Sequence, residues 1–323
     1  MSQEKKSLPL RPETWSEFAG QPQVVKALKI AISATRSRKE PMEHTLLYGP
    51  PGLGKTTLAH IIAKEMGVNL RITSGPALTR AGDLASILTS LEQNDILFID
   101  EIHRLSKVVE EALYPAMEDR AIDIILGKGP GAKNLRLDLL PFTLIGATTQ
   151  AGKISSPLRD RFGLVHRLSF YKPEELSQII LKATSKMNLK LDAQSAMEIA
   201  KRSRGTARIA LKLLRRVRDY TLVEHEAKVS PENTIKSLEF YMVDDEGLDD
   251  TDRRLLLAII NQHGGGPVGL ETLAALISES VETISDLYEP YLLQSGFLSK
   301  TSKGRVATDK SYTHLNLNRP TNP

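Results

Sequence analysis

From Trp15 to about Phe170, short apolar runs of β type alternate with stretches of helical periodicity, the pattern of a parallel sheet covered on both faces. The runs that predict strands are Leu46–Tyr48, Leu70–Thr73, Ile96–Ile99 and Thr143–Ala147. From Pro173 onward the strand signal stops and helical periodicity takes over. Pro173-Glu174-Glu175-Leu176 opens a helix with proline and acids in its first turn, and Asp192-Ala193-Gln194-Ser195 caps another. The acidic, glycine-containing stretch from Asp244 to Asp250 marks a boundary. Beyond it come a helix near Glu271–Ile277, a turn at Ser278–Ser280, a second helix from Val281, and two short strands around Phe297–Lys300 and Arg305–Thr308, the order of a winged helix. The pattern therefore predicts an α/β domain over residues 1–172, a helical domain over 173–245 and a winged-helix domain over 246–323. There is no internal repeat and no low-complexity segment.

At 323 residues the chain is long enough for two or three domains with a substantial core. A net charge of +4 and a pI near 9.0 are too mild to imply nucleic-acid binding by themselves, so the distribution of the basic residues matters more than their number. The absence of cysteine excludes disulfides and thiolate metal sites. No apolar run approaches membrane-spanning length, and Met1 to Lys6 lacks the apolar core of a signal peptide; a cytoplasmic protein with no membrane partner is expected.

The chemistry is concentrated after the first strand. Gly49-Pro50-Pro51-Gly52-Leu53-Gly54-Lys55-Thr56-Thr57 fills the phosphate-binding pattern G-x-x-x-x-G-K-[ST], preceded by the buried run His44–Tyr48 and followed by the helical run Leu58–Met66. A chance glycine-rich turn would not carry those flanks. The glycines let backbone N–H groups point at phosphate oxygens, and the helix directs its positive end at the same charge. Lys55 is expected on the β/γ-phosphates and Thr56 on Mg²⁺, so ATP and Mg²⁺ are the expected cofactors. The second strand of interest ends in Asp100-Glu101, which the crevice at the carboxyl ends of a parallel sheet would receive. Asp100 is expected in the Mg²⁺ shell, and Glu101 as the group that orients and deprotonates the attacking water.

Three further segments carry charge or apolar surface. Ala121–Leu126 and Leu135–Leu140 alternate on either side of a glycine-proline tip, a hairpin signal. Basic residues crowd positions 201–218, where no acid occurs; much of that run reads as a solvated helix face. In the winged helix, Glu279, Glu282, Asp286 and Glu289 make the second helix negative, whereas Lys300, Lys303 and Arg305 make the wing positive. A negative helix is repelled by phosphate, so the wing is the expected DNA surface, through contacts without sequence preference.

The order of the glycine loop, Asp100-Glu101-Ile102-His103, Gly146-Ala147-Thr148-Thr149, Ser156 to Gly163 and Arg204-Gly205-Thr206-Ala207-Arg208 resembles the AAA+ ATPases and, within them, the RuvB family of Holliday-junction branch-migration motors. The likeness runs from Leu10-Arg11-Pro12 to Tyr312-Thr313-His314-Leu315. It implies an AAA+ P-loop sheet domain, a small helical lid and a C-terminal winged helix. It also implies that Leu10, Arg11 and Tyr171 line the adenosine pocket, that Thr148 or Thr149 senses the γ-phosphate, and that Glu118-Asp119-Arg120 lies near nucleotide at a subunit boundary. Arg208 would be a second sensor and Arg161 an arginine finger acting on the adjacent copy, worth roughly 10³- to 10⁵-fold in rate. The hairpin would dock a RuvA-like junction-recognition protein through exposed Ile122, Ile124 and Leu126. A homo-hexameric ring on duplex DNA, with a RuvC-like resolvase in the larger complex, completes the expectation. Two departures from the family pattern are visible: Ala207 replaces a common proline, and Lys300-Thr301-Ser302-Lys303-Gly304-Arg305 replaces Arg-Thr-Pro-Arg-Gly-Arg in the wing. A clamp-loader-like protein remodeler, or a DNA-binding regulator switched by ATP, would share the motor domain. Neither calls for the combination of apolar hairpin and winged helix.

Overall fold

The structure, a computed structural model, describes residues 10–126, 133–224 and 229–319, the side chains of residues 125, 126, 133 and 134 excepted. The hairpin tip and the side chain of Leu126 therefore lie outside the described residues. Two compact units divide the chain: residues 1–190 with 205–211, and residues 191–204 with 212–323.

The first unit is built on a five-stranded, wholly parallel sheet. Its strands are β1 (Thr45–Tyr48), β2 (Leu70–Ser74), β3 (Ile96–Asp100), β6 (Thr143–Thr148) and β7 (Leu164–Arg167), in the order β2-β3-β6-β1-β7. Between β3 and β6 in the chain, β4 (Ala121–Leu126) and β5 (Lys133–Asp138) form a separate antiparallel hairpin. The helices of this unit are α1 (Pro22–Arg38), α2 (Lys55–Met66), α3 (Ala81–Thr89), α4 (Lys107–Glu118), α5 (Ser156–Asp160) and α6 (Pro173–Met187). β3 and β6 are buried along nearly their whole length, which is why they read as largely apolar runs. Each fully buried Leu, Ile or Phe in them contributes about 1.5–3 kcal/mol. β7, which the apolar pattern does not signal, alternates half-buried and exposed positions at the sheet edge.

Parallel pairing sets which ends meet. The glycine loop, Asp100-Glu101 and Thr148-Thr149 follow β1, β3 and β6, so all three leave the sheet at its carboxyl edge, with β6 between the other two.

The second unit contains α7 (Ala193–Lys201), the later turns of α8 (Ala207–Glu224), α9 (Pro231–Phe240) and the C-terminal fold. Asp192 caps α7 as its position predicts, accepting from the Ser195 N–H at 2.7 Å. The C-terminal fold has the predicted winged-helix order: Leu270–Ile277, a second helical stretch from Val281 to Gln294 with a π-helical middle at Ile284–Tyr288, and the wing β8 (Leu298–Thr301) and β9 (Gly304–Ala307). Its core gathers Leu255, Ile259, Leu273, Ile284, Leu292 and Phe297. The acidic stretch before it is a clamped joint. Arg204 Nε donates to the Gly247 carbonyl at 2.8 Å, Tyr291 to the Glu246 carbonyl at 2.5 Å, and Arg253 and His314 meet Asp244.

Candidate active site

The loop after β1 takes its shape from glycine. Gly49, Gly52 and Gly54 have φ of 142°, 81° and 99°, values that L side chains rarely adopt. A Cβ on Gly49 would also run into the Leu168 carbonyl. α2 starts at Lys55 with Gly54 as its cap, so no side chain caps it, and its first helical bond runs from Leu58 N–H to the Gly54 carbonyl. The N–H groups of Lys55, Thr56 and Thr57 are thereby left over from the helix and face an anion-binding position. Lys55 is 7% exposed, and its Nζ donates to the carbonyls of Gly49 at 2.7 Å and Pro50 at 2.9 Å. Burial pushes its amine down to about 8, against the opposing pull of Asp100 and Glu101.

Leu53 is wholly buried and reaches the site only through its backbone. Tyr171, also buried, donates its hydroxyl to the Leu53 carbonyl at 2.8 Å, and its ring lies against Gly20 and near Gly54. The structure thus brings Tyr171 to the loop as a buried support, with little ring face exposed. Arg208, at the start of α8, donates its backbone N–H to the Gly52 carbonyl at 3.3 Å and keeps an exposed side chain, so the Ala207 departure leaves it in register. Leu10 is half-buried, and Arg11 comes to α2: Lys186 bonds the Arg11 carbonyl at 3.1 Å, and burial, with the Arg11 charge beside it, holds His60 below the ordinary histidine range.

Opposite the loop, Asp100 ends β3 and accepts the Glu101 N–H at 3.0 Å. Glu101 has φ of 49°, a left-handed turn that lifts its side chain off the strand. Among the described residues its carboxylate meets two groups: the Thr149 hydroxyl at 3.4 Å and His103 Nδ1 at 3.4 Å. Thr148, wholly buried, is 2.9 Å from the same Nδ1. His103 closes the acidic motif, and its role is not legible in the sequence because its anchor, Thr148, comes from another strand.

The donor set fits a magnesium nucleotide: oxygen ligands from Thr56 and Asp100, a lysine, and three helical N–H groups at one edge. Other predicted residues are placed elsewhere. Arg161 follows α5 and lies at the amino edge of the sheet, level with Gly163 and His44, where it shares a cavity with Glu43, Glu118 and Arg120. It bonds Glu118 at 3.1 Å and stacks 4.3 Å from the Tyr114 ring centroid, and its Nε has no hydrogen-bond partner among the described residues. Asp119 pairs with Arg136 of the hairpin. Glu118-Asp119-Arg120 thus keeps company with Arg161, away from its own chain's phosphate loop.

Two expectations are corrected here. Ile122 is 0% exposed and packs in the core with Leu113 and Ile102, so it cannot offer a docking surface. The pairing Ile122↔Leu137 and Ile124↔Leu135 puts all four on one face, which is core at its base and emerges only toward Leu135, 42% exposed. In the wing, Arg305 is held by Glu289 through two bonds, at 3.1 and 2.9 Å, with both side chains largely buried. That leaves Lys300 and Lys303 as its exposed cations and neutralises one of the acids that made the second helix negative.

Family models for RuvB match nearly the whole chain: the Holliday junction DNA helicase RuvB P-loop domain over residues 10–168, the RuvB AAA lid domain over 171–244 and the RuvB C-terminal winged helix domain over 245–316. The chain belongs to the RuvB family. Its likeness in three dimensions is as broad. The Thermotoga maritima RuvB Holliday junction branch migration motor is 50% identical, with a TM-score of 0.87 over 96% of this chain and 99% of that one. Two single mutants of Thermotoga maritima RuvB are 51% identical with TM-scores of 0.88, over 96% of this chain and 99% or 100% of theirs. As a RuvB-family protein the chain is an AAA+ ATPase that binds nucleotide at this loop. Among the described residues no helix is long and apolar enough to cross a membrane.

Proposed function

We propose that this RuvB-family motor, which uses ATP to drive branch migration of Holliday junctions, works as a ring in which Arg161 of one copy completes the phosphate site of the next. One observation carries the proposal. Arg161 sits at the amino edge of the sheet and the glycine loop at its carboxyl edge, with the four residues of β1 between them, roughly 13 Å at about 3.3 Å per residue. Among the described residues Arg161 meets no phosphate loop, and its bonds to Glu118 and the Pro157 carbonyl use two of its five N–H donors.

Within one copy, the loop N–H groups and Lys55 hold the phosphates. A triphosphate opposite Lys55 restores the charge that burial weakens. Thr56 and Asp100 hold Mg²⁺, which supplies neutralising charge on the phosphates. Glu101 orients the attacking water and accepts its proton. Thr149, partly exposed and in contact with Glu101, reads the γ-phosphate, whereas Thr148 is buried and bound to His103. Arg208 approaches from the start of α8 as the second sensor.

Six copies in the cytoplasm encircle duplex DNA and meet its phosphates through Lys300 and Lys303. The emergent end of the hairpin, at Ile124 and Leu135, receives a RuvA-like junction-recognition protein, and a RuvC-like resolvase acts in the same assembly. The test is turnover per subunit against protein concentration, alongside nucleotide affinity. Turnover that rises steeply while affinity stays constant is expected; turnover per subunit independent of concentration contradicts a site shared between copies.

A further inference from the structure

His103 is nearly buried, its side chain 5% exposed, at the end of the acidic motif. Its Nδ1 lies 2.9 Å from Thr148 Oγ1 and 3.4 Å from Glu101 Oε2, so one ring nitrogen faces two groups from two strands. The Glu101 carboxylate can only accept, so the ring holds it in the tautomer that carries the proton on Nδ1. Thr148 Oγ1 then accepts from Nδ1–H while also accepting the Gln150 N–H at 2.9 Å. That second bond ties the hydroxyl to the backbone just beyond β6, and through it ties the histidine ring to the central strand of the sheet.

The other group on Glu101 is the Thr149 hydroxyl. A threonine hydroxyl has one proton to give. When Thr149 gives it to a phosphate oxygen, Glu101 keeps only the histidine among the described residues.

We infer that His103 is a positioning residue for Glu101: anchored on Thr148, it holds the carboxylate toward the attacking water while Thr149 is engaged by phosphate. The inference rests on the assignment of Glu101 as general base. A base displaced by about 1 Å loses up to about a hundredfold in rate, whereas the phosphate contacts of the loop are untouched.

The side chains of Asn and Gln discriminate here, because an Asn amide falls near Nδ1 of a histidine and a Gln amide near Nε2. In the full chain, His103→Ala is expected to lower kcat for ATP by about tenfold to a hundredfold, with affinity for a fluorescent ATP analogue unchanged. His103→Asn is expected to recover most of the lost turnover, and His103→Gln little of it. Glu101→Gln is the control. If that variant turns over ATP normally, the assignment of Glu101 falls and the inference with it. If Glu101→Gln is inactive, the inference about His103 alone is overturned by any of three results: equal behaviour of the Asn and Gln variants, whether in turnover or in loss of the fold; nucleotide affinity falling in step with kcat; or full activity in His103→Ala.

Discussion

Four arginines divide between the two units, and their surroundings differ. In the sheet unit Arg208 keeps an exposed side chain, and Arg161 spends two of its five N–H donors on Glu118 and the Pro157 carbonyl. Arg204 and Arg305 in the second unit are consumed by carboxylates: Arg204 by buried Asp252 at 2.5 Å and half-buried Asp249 at 3.0 Å, and Arg305 by buried Glu289. The Arg208 guanidinium is thus open to a phosphate, whereas the buried guanidinium groups of Arg204 and Arg305 fasten helices to loops. A buried ion pair of that kind adds little net stability, but removing one partner leaves a charge stranded. The same residue type therefore predicts loss of turnover in one region and loss of fold in the other.

The largest effect is expected at the phosphate edge. Glu101→Gln should bind nucleotide normally and lose at least about a hundredfold in turnover, because water activation goes while the loop survives; steady-state ATPase assays beside a binding titration read both.

Next comes Arg204→Ala, which should leave nucleotide binding alone and destabilise the second unit by about 3–5 kcal/mol at pH 8. Burial pushes Asp252 up to about 7 despite Arg204. A carboxyl with its folded pKa above its ordinary 3.8 binds more protons native than unfolded, so its contribution is full below about 4 and is lost as pH rises through 7. Denaturant melts of the second unit should therefore show stability falling across that window. Asp252→Asn should flatten the slope, and Arg204→Ala should cost less at pH 5 than at pH 8.

The hairpin sharpens the comparison within one element. Ile122→Ala should cost about 2–4 kcal/mol of stability, the price of a cavity in the core. Leu135→Ser should leave stability nearly unchanged and weaken binding of the junction-recognition protein, measured by titration. The smallest effect belongs to the wing. Lys300→Ala with Lys303→Ala should weaken binding to unrelated duplexes by a similar factor and flatten the dependence of log K on log salt by about one unit per lost phosphate contact. Arg305→Ala should instead show its main effect in the melting of the winged helix.

How far the sequence announced these features depended on distance along the chain. The glycine loop and Asp100-Glu101 are contiguous motifs, and four predicted strands match β1, β2, β3 and β6 to within a residue or so at each end. The roles of Ile122, Arg305 and His103 were not legible because each is decided by a partner elsewhere. Alternation shows that the hairpin has two faces, and only packing against α4 says that the face of Ile122 is core. Arg305 finds Glu289 sixteen residues away, and His103 finds Thr148 forty-five residues away. The acidic stretch from Asp244 reads in the sequence as a boundary, and nothing local signals the distant arginine, tyrosine and histidine that clamp it.

The central claim is that Arg161 acts on a neighbouring copy, and mixing two inactive variants tests it most directly. Glu101→Gln supplies an intact Arg161 and Arg161→Ala supplies an intact Glu101. In mixed rings some boundaries pair both intact residues, so ATPase activity should reappear on mixing and peak at intermediate ratios. Mixed assemblies that form, shown by capture of one tagged variant with the other, yet hydrolyse no more ATP than either variant alone would contradict it.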